Sequence, residues 1–203
     1  MTEQDTTYTT HKVVSGEDAP ALSDGKVLKV TQNTLNKNQD IALSLAPMHS
    51  EGVGNIYVFD FDAYFTNPNV LNSTRYFFAI SFGGATIHFN GYGSTNYKIR
   101  IGGFSDSHAS GYTLNEWGSY RIVFEVTENG KANAHIYTKA LTGVDFEHLN
   151  TLELTNSGIK TGGVNSIDVI AFNYGENATV PYDYYLDNLF FGRIEDASIL
   201  STK

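Results

Sequence analysis

Asn55-Ile56-Tyr57-Val58-Phe59-Asp60-Phe61-Asp62-Ala63-Tyr64-Phe65 alternates without a break. Tyr57, Phe59, Phe61 and Ala63 fall on one side of an extended chain and Val58, Asp60, Asp62 and Tyr64 on the other, because successive side chains of a strand point to opposite faces. One side is aromatic and the other carries two carboxylates, the signature of a half-buried β-strand. Downstream, Tyr76 to Phe82, Ala85 to Asn90 and Tyr97 to Ile101 repeat the pattern, with Gly91, Gly93 and Asn96 between the last two. Ser119 to Val126 turns Tyr120, Ile122, Phe124 and Val126 inward and Arg121, Val123 and Glu125 outward. Asn129-Gly130 then predicts a tight hairpin in which both residues take positive φ, leading into Lys131 to Thr138.

Upstream, Val27 to Thr31 and Ile41 to Leu45 read as short strands, with an edge strand expected around His11 to Val14. Asp145 to Leu152 reads as a single helical turn or an irregular crossover. Ser166 to Tyr174 and Tyr184 to Phe191 are apolar on both faces, as expected of strands covered above and below. Gly102-Gly103 and Gly162-Gly163 read as turns, since neither opens a helix. About ten strands, separated by turn signals every ~8–12 residues, predict an all-β fold: a two-sheet antiparallel sandwich of the jelly-roll kind. One domain spans 1–203, with 1–24 as lead-in and 195–203 as tail.

Composition narrows the function. Hydrophobic residues make up 41% of the 203 positions and charged residues only 17%, enough for one sizeable core. The formal net charge of −9 disfavours nucleic acid or an anionic membrane as partner, because both call for a basic surface. With no Cys, disulfides, thiolate metal sites and a Cys nucleophile are excluded. No apolar run approaches the ~18 residues that span a bilayer. The polar stretch Met1 to Thr10 has no signal-peptide character; the protein is either intracellular or, the preferred expectation, a module of a longer exported chain, at the cell surface or outside it. Asn72-Ser73-Thr74 and Asn177-Ala178-Thr179 match the glycosylation sequon, as chance allows in a chain rich in Asn and Thr.

Three stretches together resemble the carbohydrate-binding modules that accompany bacterial polysaccharide-degrading enzymes, a pattern overlapping the concanavalin A-like and laminin G-like sandwiches. They are Asp24-Gly25-Lys26-Val27-Leu28-Lys29-Val30-Thr31, Trp117 followed by Tyr120-Arg121-Ile122-Val123-Phe124-Glu125, and Tyr184-Tyr185-Leu186-Asp187-Asn188-Leu189-Phe190-Phe191, whose Tyr-Tyr-x-Asp-Asn core is the most specific. The resemblance implies glycan binding and a structural calcium ion. It places Asp187 among the calcium ligands, with Asp24, the carbonyl of Lys26 or Glu17 as partners; the alternative is that Asp187 accepts backbone hydrogen bonds at a sheet corner.

If every aromatic half faces inward, the outer faces gather Asp60, Asp62, His88, Asn90, Arg100, Arg121, Glu125, His135 and Tyr137. Tyr92, Tyr97 and Tyr137 would serve as platforms, and Tyr112 and Tyr182 as reserves. Such planar, multiply hydrogen-bonding groups suit sugar hydroxyls; the alternative is a plain solvated sheet face. Trp117, the only Trp, is expected at the core or its edge. No His spacing of a zinc site and no Gly-x-Ser-x-Gly elbow appears. Asp60 and Asp62 share a face at a spacing akin to the paired acids of glycoside hydrolysis, yet no Glu-x-Asp-x-x-Glu strand is present. The expectation is therefore a non-catalytic module binding a polysaccharide or oligosaccharide. The rivals are a structural or adhesion domain of a surface or virion protein, and a glycoside hydrolase or polysaccharide lyase.

Overall fold

The computed structural model describes residues 4–5, 9–15, 25–32, 39–46, 55–66, 74–92, 96–101, 108–109, 112, 114–161, 166–174 and 182–194. Their regular structure is entirely β. The strands are β1 (Gln4–Asp5), β2 (Thr9–Ser15), β3 (Lys26–Gln32), β4 (Gln39–Leu45), β5 (Ile56–Phe65), β6 (Thr74–Phe82) and β7 (Ala85–Tyr92). They continue as β8 (Asn96–Ile101), β9 (His108–Ala109), β10 (Trp117–Glu128), β11 (Lys131–Ala140), β12 (Glu147–Thr155), β13 (Ile167–Tyr174) and β14 (Tyr182–Ile194). They form an eight-stranded sheet, β1-β2-β3-β14-β5-β10-β11-β12, and a six-stranded sheet, β4-β13-β6-β7-β8-β9. Every pairing is antiparallel, so the expected jelly-roll sandwich is what forms.

The core lies between the sheets because the aromatic half of each strand leaves water there. Tyr57, Phe59, Phe61, Ala63 and Phe65 of β5 and Tyr120, Ile122 and Phe124 of β10 meet Ile80 and Phe82 of β6, Ile87 and Phe89 of β7 and Val169 of β13. Phe82 and Phe124 stack face to face across the interface, centroids 4.2 Å apart and planes 6° from parallel. Gly83 and Gly84 join β6 to β7 with φ of 55° and 84°, the two-residue turn that requires positive φ at both positions.

Two expectations change. Only Gly130 of the Asn129-Gly130 turn takes positive φ, at 89°. Asn129 instead accepts hydrogen bonds on Oδ1 from the Thr161 amide and hydroxyl, and a register shift between Val126 and Glu128 absorbs the difference. The segment read as a helical turn at Asp145 to Leu152 is mostly β12, paired to β11 with a bulge between Ile136 and Tyr137. The expected turns at Gly102-Gly103 and Gly162-Gly163, Asn72 and Ser73 of the first sequon, the whole of the second and the 195–203 tail lie outside the described residues.

Because Phe82 and Phe124 are both fully buried and bridge the sheets, Phe124→Ala leaves a cavity on both. Its expected cost is about 3–5 kcal/mol, read from the urea midpoint at constant m-value. A loss below about 1 kcal/mol would show that the sheets do not meet at this stack.

Candidate functional site

The cross-strand registers order the outer face of the eight-stranded sheet into rows. The first runs Lys29, Tyr185, Tyr64, Trp117 across β3, β14, β5 and β10. The second runs Asp187, Asp62, Ser119, Lys139, and the third Phe190, Asp60, Arg121, Tyr137, His148. Beyond these lie Val58, Val123, His135 and Thr151, then Ile56, Glu125, Asn133 and Glu153. This face is not a plain solvated surface. Val14, Val27 and Tyr185 cluster with Tyr64 and Trp117 on one side of the acidic row. Ile56, Val58, Val123 and Tyr137 cluster with Phe146, Phe190 and Ile194 on the other.

The aromatic row is in mutual contact: Tyr64 lies 5.7 Å from Trp117 and 6.0 Å from Tyr185, ring centre to ring centre. Trp117 is thus half-buried at a second, outer cluster, away from the inter-sheet core. In the third row the Arg121 guanidinium holds Asp60 with two parallel bonds, Nε to Oδ1 at 2.8 Å and NH2 to Oδ2 at 2.7 Å. These bonds raise the arginine's pKa against the opposing pull of burial, and Phe146 covers its face at 4.6 Å. Burial raises the Tyr137 pKa, with Arg121 opposing, so its hydroxyl stays protonated at neutral pH. His135 contacts Glu125 at 3.4 Å and Thr151 at 2.9 Å.

The second row is built differently. Asp62 and Asp187 stand directly opposite each other on adjacent strands, a position that puts Cβ atoms about 4.5–5.5 Å apart. At the bulge that follows Asp187, Asn188 takes φ of 49°, a conformation that Asn tolerates better than most residues. From there it donates to both carboxylates: its Nδ2 to Asp62 Oδ2 at 2.7 Å and its backbone N–H to Asp187 Oδ1 at 2.8 Å. Asp62 is buried and Asp187 half-exposed.

The predicted site residues therefore do not share one surface. Asp60, Asp62, Arg121, Glu125, His135 and Tyr137 are together, although Tyr137 is buried and offers no open platform. His88 and Arg100 are cross-strand neighbours on β7 and β8, on the outer face of the other sheet, because alternation sorts residues in from out without choosing the sheet. The side chains of Asn90, Tyr92, Tyr97 and Tyr182 lie outside the described residues. Tyr112 packs in the core against Phe65 and Phe89, at 4.9 and 5.5 Å. Of the calcium set, Asp24 and Glu17 lie outside the described residues, Lys26 is exposed and paired to Ser15, and Asp187 faces Asp62. Among the described residues no group of three or more His, Asp or Glu side chains is placed to hold a metal ion. Asn188, Lys139 and the Tyr64–Trp117–Tyr185 row were not foreseen; the signal for Asn188 was the Asp-Asn step inside an otherwise alternating strand.

No family model and no curated sequence matches the chain. Solved structures share its fold. The endo-β-1,4-glucuronan lyase of the fungus Trichoderma reesei aligns with a TM-score of 0.55 and 9% identity, over 95% of this chain and 90% of its own. The PL-14 alginate lyase of Aplysia kurodai gives 0.54 and 10%, over 89% and 86%. The catalytic domain of a glycoside hydrolase family 131 protein from Coprinopsis cinerea gives 0.53 and 16%, over 93% and 81%. At such identities the likeness establishes the β-sandwich fold. It also corrects the functional expectation: these proteins, similar along nearly their whole length, are polysaccharide lyases and a glycoside hydrolase rather than binding modules. The reading as a non-catalytic module, and with it the expectation of no enzyme, is withdrawn.

His88 supplies a test of how deeply the second outer face, that of the six-stranded sheet, is buried. Burial pulls its pKa from 6.5 down to about 4. The unfolded chain takes up this proton near pH 6.5 and the native state only near 4, so stability is complete above that window and drains as pH falls through it. The loss reaches about 3 kcal/mol. In His88→Gln the drop in stability between pH 7 and 4.5 should shrink by about 2 kcal/mol; an unchanged drop would show the imidazole to be solvated.

Proposed function

We propose that this protein cleaves polysaccharide by hydrolysis on the outer face of its eight-stranded sheet, with Asp62 and Asp187 as the reacting carboxylates. The observation that carries the proposal is the double donation of Asn188, which holds the two carboxylates across one strand interval. Carboxyl groups about 5–5.5 Å apart mark a retaining glycosidase, since no water must fit between the acids and the sugar in the first step, and direct cross-strand opposition of the two acids accords with such a short spacing. Asp62, buried and fixed through its Oδ2, is the nucleophile. Asp187, with access to water for proton exchange, is the acid and then the base.

Asp187 donates its proton to the glycosidic oxygen as the C1–O bond breaks, and an Asp62 oxygen bonds to C1. Water, losing a proton to Asp187, then releases the sugar and restores both groups. The aromatic row beside the acids supplies apolar surface for the sugar's C–H face. Lyase chemistry is less well served. A uronate would need a cation beside the reacting sugar to neutralise its carboxylate; Arg121 is committed to Asp60 by two bonds, and Lys139 stands two strand intervals from Asp62. This reading goes with a polysaccharide as partner and with a place outside the cell or at its surface, where structural polysaccharides lie.

Incubation with neutral and acidic polysaccharides should release reducing ends from a neutral glucan without the unsaturated, ultraviolet-absorbing products of elimination. Asp62→Asn and Asp187→Asn should each lower kcat by roughly 10²–10⁴-fold with an unchanged melting temperature. Full activity in both variants would remove the pair from the chemistry.

A further inference from the structure

On the outer face of the six-stranded sheet the described carboxylates leave one guanidinium unmatched. Ile87 and Phe89 of β7 and Ile99 of β8 point into the core, so Thr86, His88, Lys98 and Arg100 alternate outward. His88 and Arg100 stand directly opposite each other, a position that puts Cβ atoms about 4.5–5.5 Å apart. The Nε of Arg100 is buried and has no hydrogen-bond partner. Among the described residues no carboxylate pairs with it. On the strands of this sheet the one carboxylate among the described side chains is Asp168 of β13, whose Oδ1 accepts from the Ser44 hydroxyl at 2.6 Å. Three strand intervals separate β13 from β8, roughly 14 Å, beyond the reach of the guanidinium.

A second arginine of the same protein shows what such a group is shaped to hold. Arg121 presents Nε and NH2 to Asp60 and binds both carboxylate oxygens, at 2.8 and 2.7 Å. Arg100 carries the same planar fork, and no described residue supplies its acid. A buried charged donor without an acceptor costs free energy, and a carboxylate matched to the fork recovers it. Arg100 as a whole is part exposed, so a ligand approaches it over the sheet face.

The surroundings favour an anion too. Lys98 stands on the same face two residues before Arg100, a second cation in a chain whose net charge is −9. His88 is buried, with its Nε2 3.0 Å from the Thr86 hydroxyl. Its pKa, lowered by burial to about 4, leaves the ring neutral near pH 7, so it adds no charge of its own. Its burial also marks a neighbourhood of low dielectric, where an ion pair is stronger than in bulk water.

We propose that Arg100 is the centre of a carboxylate-binding site, which takes the acid group of a uronate sugar or of a small organic acid, on the outer face of the sheet that does not carry Asp62 and Asp187. The inference is independent of the hydrolase reading, and neither fails with the other.

The Nε–H resonance of Arg100 reports the site at atomic level. The chain has four arginines, so each signal is assigned by its loss in the matching Arg→Lys variant. Wild-type protein is titrated with the β-1,4-glucuronate hexamer, with acetate at the same carboxylate concentration, and with the β-1,4-glucose hexamer. The glucuronate hexamer should move the Arg100 signal saturably. The Arg121 signal, already committed to Asp60, should stay in place, and the glucose hexamer should move neither. Arg100→Lys keeps the charge but lacks the fork, and should weaken glucuronate binding roughly tenfold by calorimetry. Saturation by the hexamer alone assigns the site to an acidic sugar, and equal saturation by acetate assigns it to a small acid; both support a carboxylate site. An Arg100 signal that neither carboxylate moves overturns the proposal, as does glucuronate bound at wild-type strength by Arg100→Lys. Should that variant not fold, the wild-type titration decides alone.

Discussion

The pleat of β5 is the constraint on which the molecule depends. Its odd-numbered residues, Tyr57 to Phe65, are sealed in the inter-sheet core. Slipping the strand by one position would drive Asp60 and Asp62 into that core and the four rings of Tyr57, Phe59, Phe61 and Phe65 out of it, a change no marginally stable domain survives. Burial of one half of the strand thereby fixes the other half on the outer face. The neighbours β10 and β14, held by the same pleat, bring Arg121 opposite Asp60 and Asp187 opposite Asp62.

Two carboxylates of one strand then meet different fates. Asp60 gains a bidentate guanidinium and an aromatic lid over it, which spends its charge on structure. Asp62 gains an amide donor and a second carboxylate. The difference comes from the bulge in β14, where Asn188 turns into the left-handed region and aims both its N–H groups at the acids. Bulges recur beside active sites because the extra residue re-aims a side chain without breaking the sheet. On one side of the pair lies a row of contacting aromatic rings and on the other a neutralised ion pair.

Much of the sandwich was legible from alternation alone. β5, β10 and β11 were marked by it because one face of each is mainly apolar and buried. β12 was not, since Glu147 to Thr151 is largely exposed and only Leu152 and Leu154 alternate into the core. The site was half legible. Period two told inward from outward, so Asp60, Asp62 and Arg121 were placed correctly on an outer face. It carried no information on sheet membership, which sent His88 and Arg100 to the opposite side of the molecule. The opposition of Asp62 and Asp187, 125 positions apart by number, depends on a register that only pairing in three dimensions sets.

The most direct measurement is covalent trapping. A neutral glucoside carrying fluorine at C2 and a good leaving group slows release of the glycosyl intermediate, which peptide mass spectrometry can then locate. The account predicts one added sugar per chain, attached to the Asp62 side chain. Product released with inverted anomeric configuration, or a label on a residue outside the Asp62–Asp187 pair, would contradict it.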